Sequence, residues 1–221
     1  MKHLHFIIKI LIIINAFSYA RGENSGQQWV TKTKRIVSMI GTYHETATIG
    51  MRDTVALILQ ETDSARIAQL AVPVIIQELE RLYQYHSGSV TAASTEAEGE
   101  YGGELLELLA ETGDPRAVRI LVTSMPSGWL AVRGLVRIGL PAIDPMLNTL
   151  ETNSKYTIRA MAAFALGEIA QDHLLPQVET NQSYRNLLND TIIPALKKAL
   201  NDEEEFVREK AQESLTKISA R

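Results

Sequence analysis

Ala162-Ala163-Phe164-Ala165-Leu166-Gly167-Glu168-Ile169 decides the fold, because the same pattern stands at two other places in the chain. Ala131-Val132-Arg133-Gly134-Leu135-Val136-Arg137-Ile138 precedes it and Ala211-Gln212-Glu213-Ser214-Leu215-Thr216-Lys217-Ile218 follows it. The shared template is small-x-x-small-Leu-x-x-Ile. It puts two small residues, Leu and Ile on one stripe of a helix at i, i+3, i+4 and i+7. Leu135 and Leu166 are 31 residues apart and Leu166 and Leu215 are 49 apart, which is the first spacing plus an 18-residue insertion. Periods of this size mark arrays of stacked helix pairs. The fold class expected is therefore all-α, an α-solenoid of four to five stacked antiparallel helix pairs.

A second set of landmarks precedes two of these helices. Ile143, Pro145 and Leu147 correspond to Ile192, Pro194 and Leu196 at a constant offset of 49. Proline is tolerated in a first helical turn because the amide hydrogen it lacks would have no partner there. Each unit thus reads as a helix A opened by proline, a short polar turn and a helix B. Asn153 and Asp202 each stand six residues before an arginine, Arg159 and Arg208. These spacings predict side-chain caps for the B helices and arginines that reach the turn of a neighbouring unit.

These motifs resemble those of HEAT-repeat proteins, of the short-repeat type also found in bilin lyases. They are Asn153…Ile158-Arg159-x-x-Ala162-x-x-Ala165-Leu166-x-x-Ile169 and Asp202…Val207-Arg208-x-x-Ala211-x-x-Ser214-Leu215-x-x-Ile218. Gly113-Asp114-Pro115-Arg116-Ala117-Val118 is similar to the usual entry into a helix A of that family. The unit at 127–139 departs from the pattern, with Gly128 in place of the arginine and Val122 in place of the Asp or Asn. The resemblance implies a HEAT-like superhelix that binds other macromolecules, and it implies no reaction. Residues 101–219 carry clear repeats and residues 29–100 degenerate ones.

The first 20 residues combine Lys2 with an apolar run through Phe17 and end in Ser18-Tyr19-Ala20, the pattern of a secretory signal peptide cut after Ala20, with an uncleaved membrane anchor as the alternative. Residues 21–28 are then a polar leader, and the repeat array spans 29–219. The expected location is secreted or periplasmic, with no membrane contact once the signal is removed. Cleavage takes away Lys2 and Lys9, leaving 20 basic and 26 acidic residues and a formal charge of −6. An acidic balance makes nucleic acid a poor partner. The absence of cysteine excludes disulfides and thiolate chemistry.

Within the array, Trp29 to Gly41 suggests a helix, and Val72-Pro73-Val74-Ile75 suggests the opening of another that runs to Tyr85. Residues 86–103, rich in Gly, Ser, Thr and Glu, read as a loop, as does the insertion at 171–189. Asn181-Gln182-Ser183 and Asn189-Asp190-Thr191 match the N-glycosylation pattern.

The search for chemistry finds no Gly-x-Ser-x-Gly elbow, no phosphate-binding glycine loop and no His-Glu-x-x-His. His44, His86 and His173 are too far apart for one helical metal site and read as surface or capping residues. Asp202-Glu203-Glu204-Glu205 reads as an acidic first turn favoured by the helix dipole. No catalytic residue, metal or cofactor is expected. If the Ala-Leu-Ile stripe faces the core, then at 100° per residue Trp129, Arg133, Val136 and Arg137 lie opposite it. Ala160, Phe164, Gly167 and Glu168 hold the equivalent places in the next unit, and Glu209, Glu213, Thr216 and Lys217 those in the last. Trp and Arg dominate binding hot spots. Trp129, Arg133, Arg137, Phe164 and Glu168 are therefore the candidate partner-binding residues on a concave B-helix surface. The function expected is an exported, monomeric, non-enzymatic scaffold for a protein or peptide with acidic and apolar positions. The alternative, by resemblance, is an enzyme or enzyme subunit like the bilin lyases.

Overall fold

The computed structural model describes residues 25–43, 49–85 and 96–220, and the signal-peptide expectation, His44, His86 and the first part of the 86–103 segment lie outside them. Among the described residues there is no strand, and the fold is all-α. The chain divides into two compact units, residues 1–108 and 109–221.

The first unit holds α1 (Ser25–Tyr43), α2 (Ile49–Gln60), α3 (Ser64–Tyr85) and most of α4 (Glu96–Thr112). α1 packs against α2 and α3 through Ile36, Val37, Ile40, Ile58, Ile67 and Ile75. α3 begins at Ser64, nine residues before the proline expected to open it, and carries Pro73 in its interior. Asp63 accepts the Ala65 amide at 3.0 Å and starts the helix there. The stripe Ile67, Ala71, Ile75, Leu79 then runs unbroken past Pro73, which sits on the exposed side. Burial of that stripe outweighs the helix bond lost at proline.

α4 corrects a second expectation. Residues 96–103 are helical, not loop, although Gly99, Gly102 and Gly103 lie among them. Leu105, Leu106, Leu108 and Leu109 are all buried, and Tyr101 bonds the buried carboxylate of Glu78 through its hydroxyl at 3.3 Å. Burial first, and Glu78 next, hold the Tyr101 phenol well above its ordinary value. Tertiary packing thus overrides the weak helix propensity of the glycines.

The second unit contains the repeats. α5 (Val118–Ser124) pairs with α6 (Trp129–Ile138), α7 (Ile143–Thr152) with α8 (Tyr156–Ile169), and α10 (Ile193–Ala199) with α11 (Glu205–Ser219). The B helix α8 packs on α6 on one side and on α11 on the other. Its Ala162, Ala165, Leu166 and Ile169 are wholly buried, as are Ala131 and Leu135 of α6 and Ala211 of α11. Pro145 stands third in α7 and Pro194 second in α10.

The insertion at 171–189 is helical as well, where a loop was expected. α8 runs into a π turn at Ala170–Leu174, then a 3₁₀ turn at Leu175–Gln177, the short helix α9 (Gln182–Asn186) and a second π turn at Leu187–Ile192 that feeds α10. Asn181 caps α9 by accepting the amides of Ser183 and Tyr184. Arg185 bonds the carbonyls of Val178 and Glu179, tying the detour to itself. Leu174, Leu188 and Ile192 are buried, which is what holds an 18-residue insertion in place.

The polar turns differ from expectation in one respect. Asn153 accepts the Lys155 amide and Asp202 the Glu204 amide, each at 3.0 Å, so they brace the turn while Lys155 and Glu204 hold the cap positions. The arginine does reach the next unit. Arg159 donates through Nε and Nη2 to the Asp202 carboxylate at 2.9 and 2.7 Å, and through Nη1 to the carbonyls of Asn153 and Ser154. Arg208 bonds the carbonyls of its own turn, those of Asp202 and Glu203.

Candidate functional site

The template places four residues per B helix on the side away from the buried stripe, and α6, α8 and α11 set these columns side by side. The Trp129 and Phe164 rings meet edge to face, with centroids 5.1 Å apart and planes at 83°. Trp129 keeps 41% of its surface exposed at the start of α6, while Phe164 is half-buried. Lys217 of α11 stands over the Phe164 ring at 5.0 Å and Lys210 at 5.9 Å, a cation–π arrangement.

Two of the twelve facing positions are closed off from solvent. Ala160 and Gly167 are buried, because α8 is enclosed by α6 and α11 together. A methyl group built on Gly167 would lie 2.4 Å from the Ser214 hydroxyl and 2.5 Å from its Cβ, so the glycine sets how closely α8 and α11 approach. Ser214 uses that proximity to donate to the Ala163 carbonyl at 3.0 Å.

Between α6 and α8 lies a groove of about 620 Å³. Ala110, Val136 and Phe164 give it an apolar floor, and Arg133, Arg137, Glu168, Glu111, Asp172 and His173 form its rim. The groove exists because two side chains lean apart. Arg137 lies against the α4–α5 turn, its Cγ 3.6 Å from where a methyl on Gly113 would sit. Glu168, its neighbour in the same column, turns the other way and bonds Lys217 at 2.5 Å. That bond is the main cause holding the Lys217 ammonium above its ordinary value, and Lys210 first and Lys217 next hold the Glu213 carboxyl below its own.

His173 closes one end. Its Nε2 lies 2.8 Å from the Val136 carbonyl, one of the last in α6, so the ring caps that helix end. The ring rests on Gly139, whose φ of +75° suits glycine and whose bare Cα leaves room where any side chain would meet the imidazole at 2.7 Å.

Four of the five candidate residues therefore line one groove and the fifth, Trp129, abuts Phe164 beside it. Sequence reasoning missed Glu111, Asp172 and His173 as parts of this rim. The insertion removes the repeat register that would have placed Asp172 and His173. Lys217 was legible, since it stands 49 residues after Glu168. A second groove, of about 650 Å³, lies between α7 and α10, but its Arg159 and Asp202 bond each other, as do its Lys198 and Glu151. Among the described residues no group of three His, Cys, Asp or Glu side chains is placed to hold a metal ion, and no helix is long and apolar enough to cross a membrane.

Residues 192–221, which span α10 and α11, match the family model of the HEAT repeat. This part of the chain is a HEAT repeat. No curated protein and no solved structure matches it significantly. The matched HEAT repeat contributes Lys210, Glu213 and Lys217 to the face described above, and its Asp202 receives the arginine of the unit before it. HEAT repeats are helical scaffolds that commonly mediate protein interactions, which is the general role their presence supports.

Proposed function

We propose that this HEAT-repeat protein is an exported, non-catalytic, monomeric scaffold that holds a protein or peptide partner on the exposed face of its B helices, at Trp129, Arg133, Arg137, Phe164 and Glu168. The observation that carries the reading is where charge pairing stops. On α8 and α11 the charges of Glu168, Glu213, Lys210 and Lys217 are bonded to one another. On α6, among the described residues, Arg133 and Arg137 have no hydrogen-bond or ion-pair partner, and both are exposed beside an aromatic pair. Arginine and tryptophan next to an apolar groove are the side chains that most often supply binding energy in interfaces. Export is supported by the basic and apolar run of residues 1–20 and by Ser18-Tyr19-Ala20 before Arg21.

The test is affinity capture from the extracytoplasmic fraction with the native chain and with Arg133→Glu. The substitution leaves the core untouched, so the helical spectrum and urea midpoint stay the same while capture falls sharply, because charge reversal adds repulsion to lost attraction. Equal capture by the two proteins removes this face as the site. N-terminal sequencing of the exported protein is expected to begin at Arg21, and a chain that retains Met1 would overturn the cleavage.

A further inference from the structure

We infer that the α6–α8 groove takes a mixed-charge peptide segment: an apolar side chain flanked by a carboxylate at one end and by a lysine or arginine three or four residues away. The inference rests on the binding-face reading above and corrects the purely acidic ligand that the two arginines alone suggest.

Four rim charges lack a partner among the described residues, two of each sign: Arg133 and Arg137, and Glu111 and Asp172. All four are exposed, and none is within ion-pair distance of another. Glu168 drops out of the count because Lys217 holds it. A polyanion or a dianionic phosphate entering here meets as many carboxylates as guanidiniums, so the groove gives it no net attraction. A segment with one charge of each sign satisfies both halves of the rim.

Along the groove Arg133 and Asp172 stand farthest apart, with Arg137, in the last turn of α6, between them. Arg133 shares its level with Phe164 and lies one helical turn from Trp129, toward the N-terminal end of the B helices. Asp172 belongs to the C-terminal end, in the π turn that follows α8, while Glu111 lies level with the stretch between Arg133 and Arg137, since Ala110 faces Gly134 and Gly113 faces Arg137. Phe164 and Asp172 are eight residues apart, which is about 12 Å of helix at ~1.5 Å per residue. An extended chain covers that span in three to four residues at ~3.3 Å each. Arg133 and Arg137, one turn apart on α6, repel each other while empty, and a carboxylate between them removes that repulsion. The half-buried Val136 and Phe164 then lie under the middle of the segment, where an apolar side chain fits.

The experiment is selection from a random dodecapeptide display library on the immobilised full chain, run beside Arg133→Glu/Arg137→Glu and beside Glu111→Lys/Asp172→Lys. On the native chain the enriched sequences should carry Asp or Glu and Lys or Arg three or four positions apart around an apolar residue. The arginine variant should lose about tenfold or more in affinity for them. The lysine variant should now select peptides acidic at both positions. Enriched peptides that are uniformly acidic or uncharged on the native chain, or a lysine variant with unchanged preference, overturn the mixed-charge inference and leave the site standing. Enriched peptides that bind the arginine variant equally, or no enrichment at all, overturn the binding-face reading itself. If the lysine variant fails to fold by circular dichroism, Glu111→Gln/Asp172→Asn replaces it, and loss of the selected basic residue is the expected result.

Discussion

Replacing Gly167 by alanine tests the closest helix contact in the repeat array. In a solvated helix the change would be favourable by about 1 kcal/mol, because glycine loses more backbone freedom on folding than alanine. Here the new methyl would stand 2.4 Å from Ser214 Oγ, 2.5 Å from its Cβ and 3.0 Å from its Cα. Carbon atoms in contact prefer about 3.5–4.0 Å, so α8 and α11 must separate by about 1 Å, since Ser214 has no flexible end to swing away. Overpacking of this kind costs about 1–3 kcal/mol. Separation also stretches the Ser214–Ala163 hydrogen bond of 3.0 Å, which contributes about 1 kcal/mol. The net expectation is a loss of about 1–3 kcal/mol, read as a lower urea midpoint at unchanged slope. Exchanging the two small residues provides the control. Ser214→Gly alone loses the hydrogen bond and about 0.5 kcal/mol of helix propensity, yet added to Gly167→Ala it restores the space. The double variant should therefore be more stable than the sum of the single effects by at least about 1 kcal/mol. A Gly167→Ala protein as stable as the native chain, or strictly additive effects, would refute the close approach.

Leu166 is wholly buried between two neighbours and Leu215 only half-buried in the last helix, so Leu166→Ala should cost about 2–5 kcal/mol and Leu215→Ala clearly less in the same urea assay. Asp202→Ala strands the nearly buried Arg159 guanidinium and should cost about 3 kcal/mol, whereas Glu204→Ala, exposed and at the helix cap position without a side-chain bond, should stay within about 0.5 kcal/mol. The hydrogen bonds from Arg159 hold the Asp202 carboxyl below its ordinary value. Its contribution is therefore complete above the unfolded carboxyl pKa of about 3.9 and is lost as pH falls below that. Stability measured from pH 6 downward should show a shallower acid limb in Asp202→Asn than in the native chain; identical limbs would remove this pair as the cause.

The repeat was legible because its signal is redundant. A small residue, Leu and Ile at fixed spacing recur three times, and the 31- and 49-residue offsets align every facing residue as well as the core. That is why Trp129 and Phe164 could be named together before any geometry, and why Arg159 could be expected to reach a neighbouring turn. Where the register stopped, so did the reading. Residues 96–103 looked like loop from their glycines and are helix because Tyr101 and the leucines behind them find a core. Pro73 looked like a beginning and is an interior residue, since a continuous apolar stripe outweighs one missing helix bond. The insertion at 171–189 lacks any repeat partner, and its π turns, which bring Asp172 and His173 to the groove, answer to packing that no local pattern encodes.

Periodicity is a property of the chain alone, and it determined the helix type, the pairing of helices and the columns of residues that share a face. Whether a facing residue meets water is a property of its neighbours. Gly167 and Phe164 lie three apart on the same nominally outer side of α8, yet one is pressed against Ser214 and the other half-open beside Trp129. The groove itself depends on a choice no single helix contains. Glu168 stands between Arg137 and Lys217, and it bonds the lysine. That preference leaves α6 with unpaired guanidiniums, and only the arrangement of three helices in space could decide it.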